Sequence, residues 1–201
     1  MGGRDWDERY ASRAGGLWSG RVNGVLVVEL DGRTPGRALD VGCGEGADAI
    51  WLARAGWDVA GVEVSEVALE RAAAAARDAG VTVRWLHADV AAMEPPPVGY
   101  DLVSVLYPAL RRSPPDEAIR AVLGAVAPGG TLLVVWHGPV DAEHARAHGF
   151  DVADFVGPED IRARLDGGWD VEVDETRPRV EPAPEGSGHT HDTVLRATRR
   201  R

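Results

Sequence analysis

A short apolar run followed by alternating glycines constrains the fold of this chain more than any other feature. Residues 38 to 41 are Ala-Leu-Asp-Val, and Gly42, Gly44 and Gly46 follow before a helical pattern begins at Ala47. A strand, a glycine loop and a helix in this order present backbone N–H groups to a nucleotide-like ligand. Glycine allows the loop backbone to approach that ligand closely. The stretch therefore predicts a nucleotide-type site in a doubly wound α/β domain.

An acid about twenty residues further on agrees with this prediction, because such an acid can bind a ribose. Glu63 lies near the end of the next predicted strand, residues 58 to 64. A nicotinamide dinucleotide site remains open at this point, since Gly42-x-Gly44-x-x-Ala47 fits G-x-G-x-x-G/A. Asp40 argues against it, because a dinucleotide-binding strand usually carries an apolar residue at that position.

Five blocks in this order resemble the motifs of the class I, Rossmann-like S-adenosylmethionine (SAM) methyltransferases. The blocks are residues 39–46, 61–65, 87–90, 100–103 and 128–132. The resemblance implies an α/β fold with a doubly wound, mostly parallel seven-stranded sheet of order 3-2-1-4-5-7-6 and an antiparallel last strand. It also implies SAM as the cofactor. The third and fifth blocks have no counterpart in the dinucleotide fingerprint, so an NAD-dependent oxidoreductase is the weaker alternative.

The same resemblance implies roles for individual residues. The glycine loop should face the methionine end of SAM, with Asp40 near its ammonium and Glu63 on the ribose. Asp89 should accept from the adenine amine, and the backbone at Leu106 should close over the methionine part. The expected cofactor-binding residues are Asp40, Gly42, Cys43, Gly44, Gly46, Glu63, Val64, Asp89, Val90, Leu106 and Trp18.

The N-terminal residues resemble a lid. Residues 6 to 10 followed by Trp18 are similar to the N-terminus of the small tellurite-resistance and thiol/halide methyltransferases, where this segment folds over cofactor and acceptor. This resemblance implies a small acceptor: a thiol, a chalcogen oxyanion, a halide or a hydroxyl compound. Residues 1 to 24 show little continuous periodicity, so we expect them to be loosely held without ligand. Trp18 either packs on the methionine part of SAM or anchors the lid.

Two residues at the carboxyl edge of the expected sheet are candidates for catalysis. Tyr107 follows the fourth predicted strand and His137 ends the fifth, at the edge where ligands bind in such folds. Either residue could act as a general base or orient an acceptor, and core packing is the alternative.

Four of the histidines form two pairs that could bind a metal ion. His144 and His148 have helical spacing, and His189 and His191 alternate as on a strand. No sequence spacing joins the two pairs, and no cysteine supports them. We therefore expect no metal site.

The length of 201 residues indicates one domain. We divide it into an N-terminal helical lid at 1–36, a SAM-binding core at 37–138, and a C-terminal helix and β-hairpin at 139–201. All 22 basic residues are arginine, and the absence of lysine excludes Schiff-base enzymes and Walker A loops. A regulatory protein that binds SAM or a nucleotide without turnover remains an alternative.

Charge and cysteine content bear on partners and location. The net charge of −10 disfavours nucleic acid as the acceptor, and the arginines at 196 and 199–201 are expected to form a solvated tail. No apolar run approaches the roughly 20 residues needed to cross a bilayer, so we expect no membrane partner. One cysteine fits a reducing cytoplasm. The sequence leaves the oligomeric state open.

Overall fold

The structure is a computed structural model that describes residues 2–113, 115–138, 151–180 and 189–201. The helices among these residues are α1 (Gly3–Ala11), α2 (Gly24–Glu29), α3 (Ala47–Arg54), α4 (Glu66–Asp78), α5 (Glu117–Ala125) and α6 (Pro158–Arg162). The strands are β1 (Arg37–Val41), β2 (Asp58–Glu63), β3 (Arg84–His87), β4 (Tyr100–Leu106), β5 (Val126–His137), β6 (Trp169–Pro178) and β7 (His191–Arg199).

The strands form one sheet of order β3-β2-β1-β4-β5-β7-β6. Strands β1 to β5 pair in parallel, whereas β7 is antiparallel to both β5 and β6. The expected doubly wound, mostly parallel seven-stranded sheet is therefore confirmed, including its order and its antiparallel last strand. Strands β1 to β3 are added towards one edge of the sheet, and β4 and β5 are added towards the other. Ligands bind at such a switch point, which here lies between β1 and β4.

The central strands are buried on both faces, which explains why they are apolar without alternation. On β4, Leu102 and Leu106 pack in one cluster with α2 and α3 residues such as Leu26 and Leu52. Val103, between them, packs in the opposite cluster with α5. The carboxyl ends of β1 and β4 are held rigidly by this core.

Helix α5 begins later than the sequence predicts. The pair Pro114-Pro115 followed by two acids predicts a helix that opens at the prolines, yet the helix starts at Glu117, after Asp116 with φ 61°. A left-handed residue cannot belong to the first turn of a right-handed helix, so Pro115 lies outside it. Pro114 is not among the described residues.

The C-terminal arginines do not form the expected solvated tail. Arg196 pairs with Glu29 and Glu172, and Arg199 donates to the carbonyl of Val126 at 2.7 Å. Arg200 pairs with Asp170. Strand β7 extends through Arg199, so these side chains lie along a folded edge where acids from neighbouring elements reach them. Among the described residues, no helix is long and apolar enough to cross a membrane.

Candidate active site

The three loop glycines have positive φ but differ in what surrounds them. A Cβ on Gly42 (φ 68°) would meet nothing within 4 Å. A Cβ on Gly44 (φ 52°) would lie 2.9 Å from the hydroxyl of Tyr10, and one on Gly46 would lie 2.8 Å from Ala72 Cβ. Gly42 therefore leaves open space at the end of β1. Gly44 allows the N-terminal segment to approach, and Gly46 allows α4 to pack.

Glu63 organises the glycine loop before any ligand binds. Its buried carboxylate accepts from the backbone N–H groups of Gly44 (3.1 Å), Val64 (2.8 Å) and Ser65 (3.0 Å). Burial raises the pKa of this carboxyl. A carboxylate has about four acceptor positions, so a ribose at this place would share Glu63 with the loop backbone.

Asp40 is a buried carboxylate with an unused oxygen. It is 2% exposed, and its Oδ1 accepts from Ser104 Oγ at 3.0 Å. Its Oδ2 has no hydrogen-bond partner among the described residues. Burial, followed by the nearby charge of Asp48, raises the pKa of Asp40 to about 8. Asp48 accepts from the N–H of Asn23 at 2.6 Å, and burial also raises its pKa. The loop is thus surrounded by acids suited to a cationic ligand.

The remaining residues expected at the cofactor lie along the same cleft. Asp89 is exposed and caps a 3-10 turn at Val90–Ala92, accepting from the N–H of Ala91 at 2.9 Å. Burial raises the pKa of the Cys43 thiol, and its Sγ lies 2.9 Å from where a Cβ on Gly61 would stand. Cys43 therefore acts here as a small packing residue. Val64 and Leu106 also line the cleft.

The N-terminal segment is held over the glycine loop by Glu45. This carboxylate accepts from the N–H groups of Leu17 (2.9 Å) and Trp18 (3.2 Å) and pairs with Arg71 at 2.7 Å. Trp18 Nε1 donates to the Tyr10 hydroxyl at 3.0 Å, although the whole residue remains 55% exposed. Trp18 is thus an anchor that also presents its ring to the cleft.

Three further hydrogen bonds attach this segment to α4 and to its N-cap residue, Ser65. Arg71 donates to the carbonyl oxygens of Tyr10 and Arg13, both at 3.0 Å. Asp7 accepts from Ser65 Oγ at 2.6 Å. The segment is therefore bonded to the domain at several points, whereas we expected it to be loosely held. The expectation missed these bonds because Glu45, Arg71 and the N-terminus are far apart in the sequence.

Tyr107 and His137 meet at the carboxyl ends of β4 and β5. Their rings stack at a centroid distance of 4.4 Å and an interplanar angle of 13°. Tyr107 has φ 49°, a strained conformation for a non-glycine residue. Its hydroxyl donates to Asp192 Oδ1 at 2.8 Å, and burial followed by Asp192 raises its pKa. This phenol stays protonated near neutral pH, so the geometry disfavours it as a general base.

The C-terminal hairpin supplies partners that sequence reasoning missed. Asp192 lies opposite His137 in the β5–β7 pairing, and Arg179 pairs with Asp192 at 3.1 Å. His189 lies 4.0 Å from the His137 ring. The antiparallel pairing of β7 with β5 brings these residues to His137. In the sequence, the alternating pattern of the last strands was the signal for this pairing. His144 and His148 lie outside the described residues.

A cleft of about 1850 Å³ joins these two groups of residues. The glycine loop, Glu63 and Asp89 line it together with Tyr107, His137 and Asp192. Ligand pockets commonly measure about 300–1,000 Å³. The cleft therefore has room for a cofactor and a second molecule.

Residues 38–130 match the family model described as a methyltransferase domain. A Mycobacterium tuberculosis protein named an uncharacterized methyltransferase is 43% identical over 98 residues, covering 48% of each chain. A ubiquinone biosynthesis O-methyltransferase of Bordetella avium is 34% identical and covers 53% of this chain and 45% of its own. A ribosomal RNA small subunit methyltransferase C of Alcanivorax borkumensis is 38% identical over 69 residues, 31% of this chain and 21% of its own.

The chain spans about half the length of the curated relatives that it matches first. Among solved structures, the N-methyltransferase NodS of Bradyrhizobium japonicum, in complex with S-adenosyl-L-homocysteine, has a TM-score of 0.73 at 17% identity and covers 99% of both chains. This similarity shows the fold. Together, the comparisons relate residues 38–130 to methyltransferase domains, and they do not confirm the tellurite-resistance subgroup.

Proposed function

We propose that this protein transfers a methyl group from SAM to a small-molecule acceptor bound in the cleft. The observation that carries the proposal is the pair of acids at the glycine loop. Asp40 offers an unused buried oxygen where an ammonium would neutralise it, and Glu63 lies where a ribose would reach it. SAM carries both groups, whereas NAD has no primary ammonium to meet Asp40.

The second side of the cleft supports an acceptor beside the cofactor. Tyr107 and His137 lie at the carboxyl edge, within the same continuous space as the glycine loop. Methyl transfer requires mainly that donor and nucleophile be aligned, and alignment can supply roughly 7–11 kcal/mol of the barrier. A stacked pair of rings in the same cleft as the loop suits that requirement. A SAM-binding regulatory protein would need no such second compartment.

Small acceptors fit the charge distribution better than nucleic acid does. Near the C-terminus, Arg196 is paired with Glu29 and Glu172, and Arg200 is paired with Asp170, so these cations are already engaged by acids. The net charge of −10 adds long-range repulsion of phosphates. We therefore propose a small molecule as the acceptor, and we expect a ribosomal RNA fragment to remain unmethylated in the same assay.

The test compares two glycines that share a backbone conformation. Gly42 and Gly80 both have φ 68°, and a Cβ on either would meet no protein atom within 4 Å. Gly42→Ala should abolish SAM binding in calorimetry, because its methyl group enters the ligand's space. Gly80→Ala, at the end of α4 and away from the cleft, should lower stability equally and leave binding intact. Equal SAM binding by both variants would contradict the site assignment.

The relative affinities for SAM and NAD distinguish a SAM site from a dinucleotide site. SAM should bind the unmodified protein more tightly than NAD, and Glu63→Ala should weaken SAM binding by about 1–3 kcal/mol, since a charged acceptor is lost. Calorimetric titration with SAM, S-adenosylhomocysteine and NAD measures all three affinities. Preference for NAD would instead support the oxidoreductase alternative, and tight SAM binding without methyl transfer to any acceptor would support the regulatory one.

A further inference from the structure

The side-chain amide of Asn23 holds a buried donor that is weakly engaged. Its Oδ1 accepts from the N–H of Val25 at 2.9 Å and so caps α2. The cap assigns the orientation of the side-chain amide, because the backbone N–H must face the oxygen and not the NH₂ group. Nδ2 is then buried in a side chain that lines the cleft, and it faces the Tyr107 hydroxyl, whose pKa it lowers, without forming a hydrogen bond of good geometry to any described residue. An acceptor atom in the cleft would relieve that cost.

His137 offers a second buried nitrogen, Nδ1, and we assign the N–H of the ring to it. Its ring lies between Tyr107 and His189, at 4.4 Å and 4.0 Å, and its Nδ1 is buried without a partner in the described part of the chain. Burial, His189 and Arg179 lower the pKa of the imidazole to about 4. The ring is therefore neutral near pH 7 and carries one N–H. An imidazolium would be both buried and close to a guanidinium, so His137 is poorly suited to take a proton.

The other titratable groups that face His137 are His189, Tyr107, Asp192 and Arg179. The Tyr107 hydroxyl is protonated and donates to Asp192. Asp192 is 1% exposed and already accepts from Tyr107 and Arg179. The guanidinium of Arg179 lies 5.3 Å from the Tyr107 ring and adds positive charge. Tyr107 and Arg179 therefore each direct a donor at Asp192, whose carboxylate is already engaged.

On the basis of the proposed methyl transfer, we propose that the acceptor binds beside Asn23 and His137 as an anion and is methylated without giving a proton to the protein. A thiolate, a phenolate, a carboxylate or a halide has the required chemistry. A lone pair of the anion attacks the methyl carbon while the carbon–sulfur bond breaks, and the bonding electrons remain on sulfur. The anion and the sulfonium thus become a neutral methylated product and a thioether. Exclusion of water favours such a loss of charge.

A coloured probe tests the ionisation state directly. The protein is loaded with S-adenosylhomocysteine and titrated with 4-nitrophenol, whose visible absorbance reports the phenolate. We expect binding to lower the apparent pKa of the probe, so that it absorbs as phenolate at a pH where the free probe is protonated. A bound probe that stays protonated, or no binding of the probe, would overturn the proposal.

Kinetics with SAM give a second, independent test. For 4-nitrophenol and thiophenol, the rise of kcat/KM with pH should follow the ionisation of each acceptor, and methylation of iodide should not depend on the ionisation of any acceptor. One midpoint shared by all acceptors would reveal a base in the protein and overturn the proposal, as would methylation of neutral alcohols alone. Failure of SAM itself to bind would reject the proposed function instead.

Substitutions at the two donors complete the test. Asn23→Ser keeps an oxygen to cap α2 but removes the amide donor, so the affinity for the phenolate should fall roughly tenfold while affinity for S-adenosylhomocysteine is retained. Asn23→Asp adds a negative charge at the same place and should weaken phenolate binding further. His137→Leu should raise KM for the anion roughly tenfold, and His137→Gln should restore much of it because it keeps an N–H. If His137→Gln lowered kcat as strongly as His137→Leu, a proton-accepting role would be indicated and the proposal would fall.

Discussion

Asp40 illustrates how one buried residue can couple ligand binding to pH. Water is excluded from its carboxyl, Ser104 supplies a single hydrogen bond, and Asp48 and Glu63 add negative charge nearby. Each of the two acids raises the pKa of Asp40, and burial raises it more. A cationic ammonium at the unused oxygen would reverse the balance by favouring the carboxylate.

The pH dependence of stability follows from this shift. Because the pKa of Asp40 is about 8 in the fold and about 3.9 in an unfolded chain, the folded state holds a proton that the unfolded state loses. Asp40 therefore contributes stability below about pH 4, and this contribution is lost as the pH rises towards 8. In thermal unfolding without ligand, Asp40→Asn should flatten the decline of the melting temperature between pH 5 and pH 8. An unchanged decline would show that Asp40 is not the group responsible.

Ligand binding should show the opposite trend. The ammonium of SAM favours ionised Asp40, so binding near pH 7 should release protons and become tighter as the pH rises to 8. Calorimetry in buffers with different ionisation enthalpies measures the released protons. Asp40→Asn should reduce the release, and equal release by both proteins would count against Asp40 as the ammonium partner.

At the scale of elements, one ion pair connects the N-terminal segment, the glycine loop and α4. Glu45 lies in the loop, Arg71 lies on α4, and both bind backbone groups of residues 10 to 18. The same segment carries Tyr10 and Trp18 over Gly44. The position of the segment therefore depends on these polar contacts and on the burial of its residue Tyr10.

Removing this connection should loosen the segment without unfolding the sheet. Arg71→Met should speed hydrogen exchange in residues 10 to 18, leave β1 and β4 protected, and lower stability by about 1–2 kcal/mol. Arg77→Met, an exposed substitution on the same helix, is the matched control. Similar exchange in both variants would show that the ion pair does not hold the segment.

Across the whole molecule, Glu29 ties the N-terminal α2 to the C-terminal hairpin. Its side chain is buried and pairs with Arg177 on β6 and with Arg196 on β7, the latter at 2.6 Å. These contacts join residues more than 140 positions apart in the chain. They fix the hairpin that brings Asp192 to Tyr107.

Glu29→Ala should therefore destabilise the fold and disturb the acceptor side together. Fully buried pairs cost about 3–5 kcal/mol when one partner is removed, but these guanidinium groups are partly exposed, so we expect about 1–3 kcal/mol. Urea unfolding measures the loss, and Glu29→Gln, which keeps the volume and one acceptor, should lose less. Loss of phenolate binding with retained SAM affinity would locate the effect at the hairpin, whereas unchanged stability would contradict the role of Glu29.

The sequence by itself determined the elements around the glycine loop, and the resemblance to class I methyltransferases supplied the sheet order. The elements depend on local signals, such as the alternating glycines after β1 and the apolar runs of strands buried on both faces. Such signals act between residues that are close in the chain, so a linear pattern records them. The spacing after the loop indicated Glu63, whereas Asp40 and Asp89 were expected at the cofactor from the resemblance.

Only the tertiary structure decided which distant groups meet. The contact of Asp192 with Tyr107, the attachment of Glu45 to Arg71, and the engagement of the C-terminal arginines all join residues far apart in sequence. Strand register and helix packing create these contacts, and the spacing of the residues in the sequence predicts neither of them. The ionisation of Asp40 and His137 likewise depends on burial, which arises only when the whole chain excludes water.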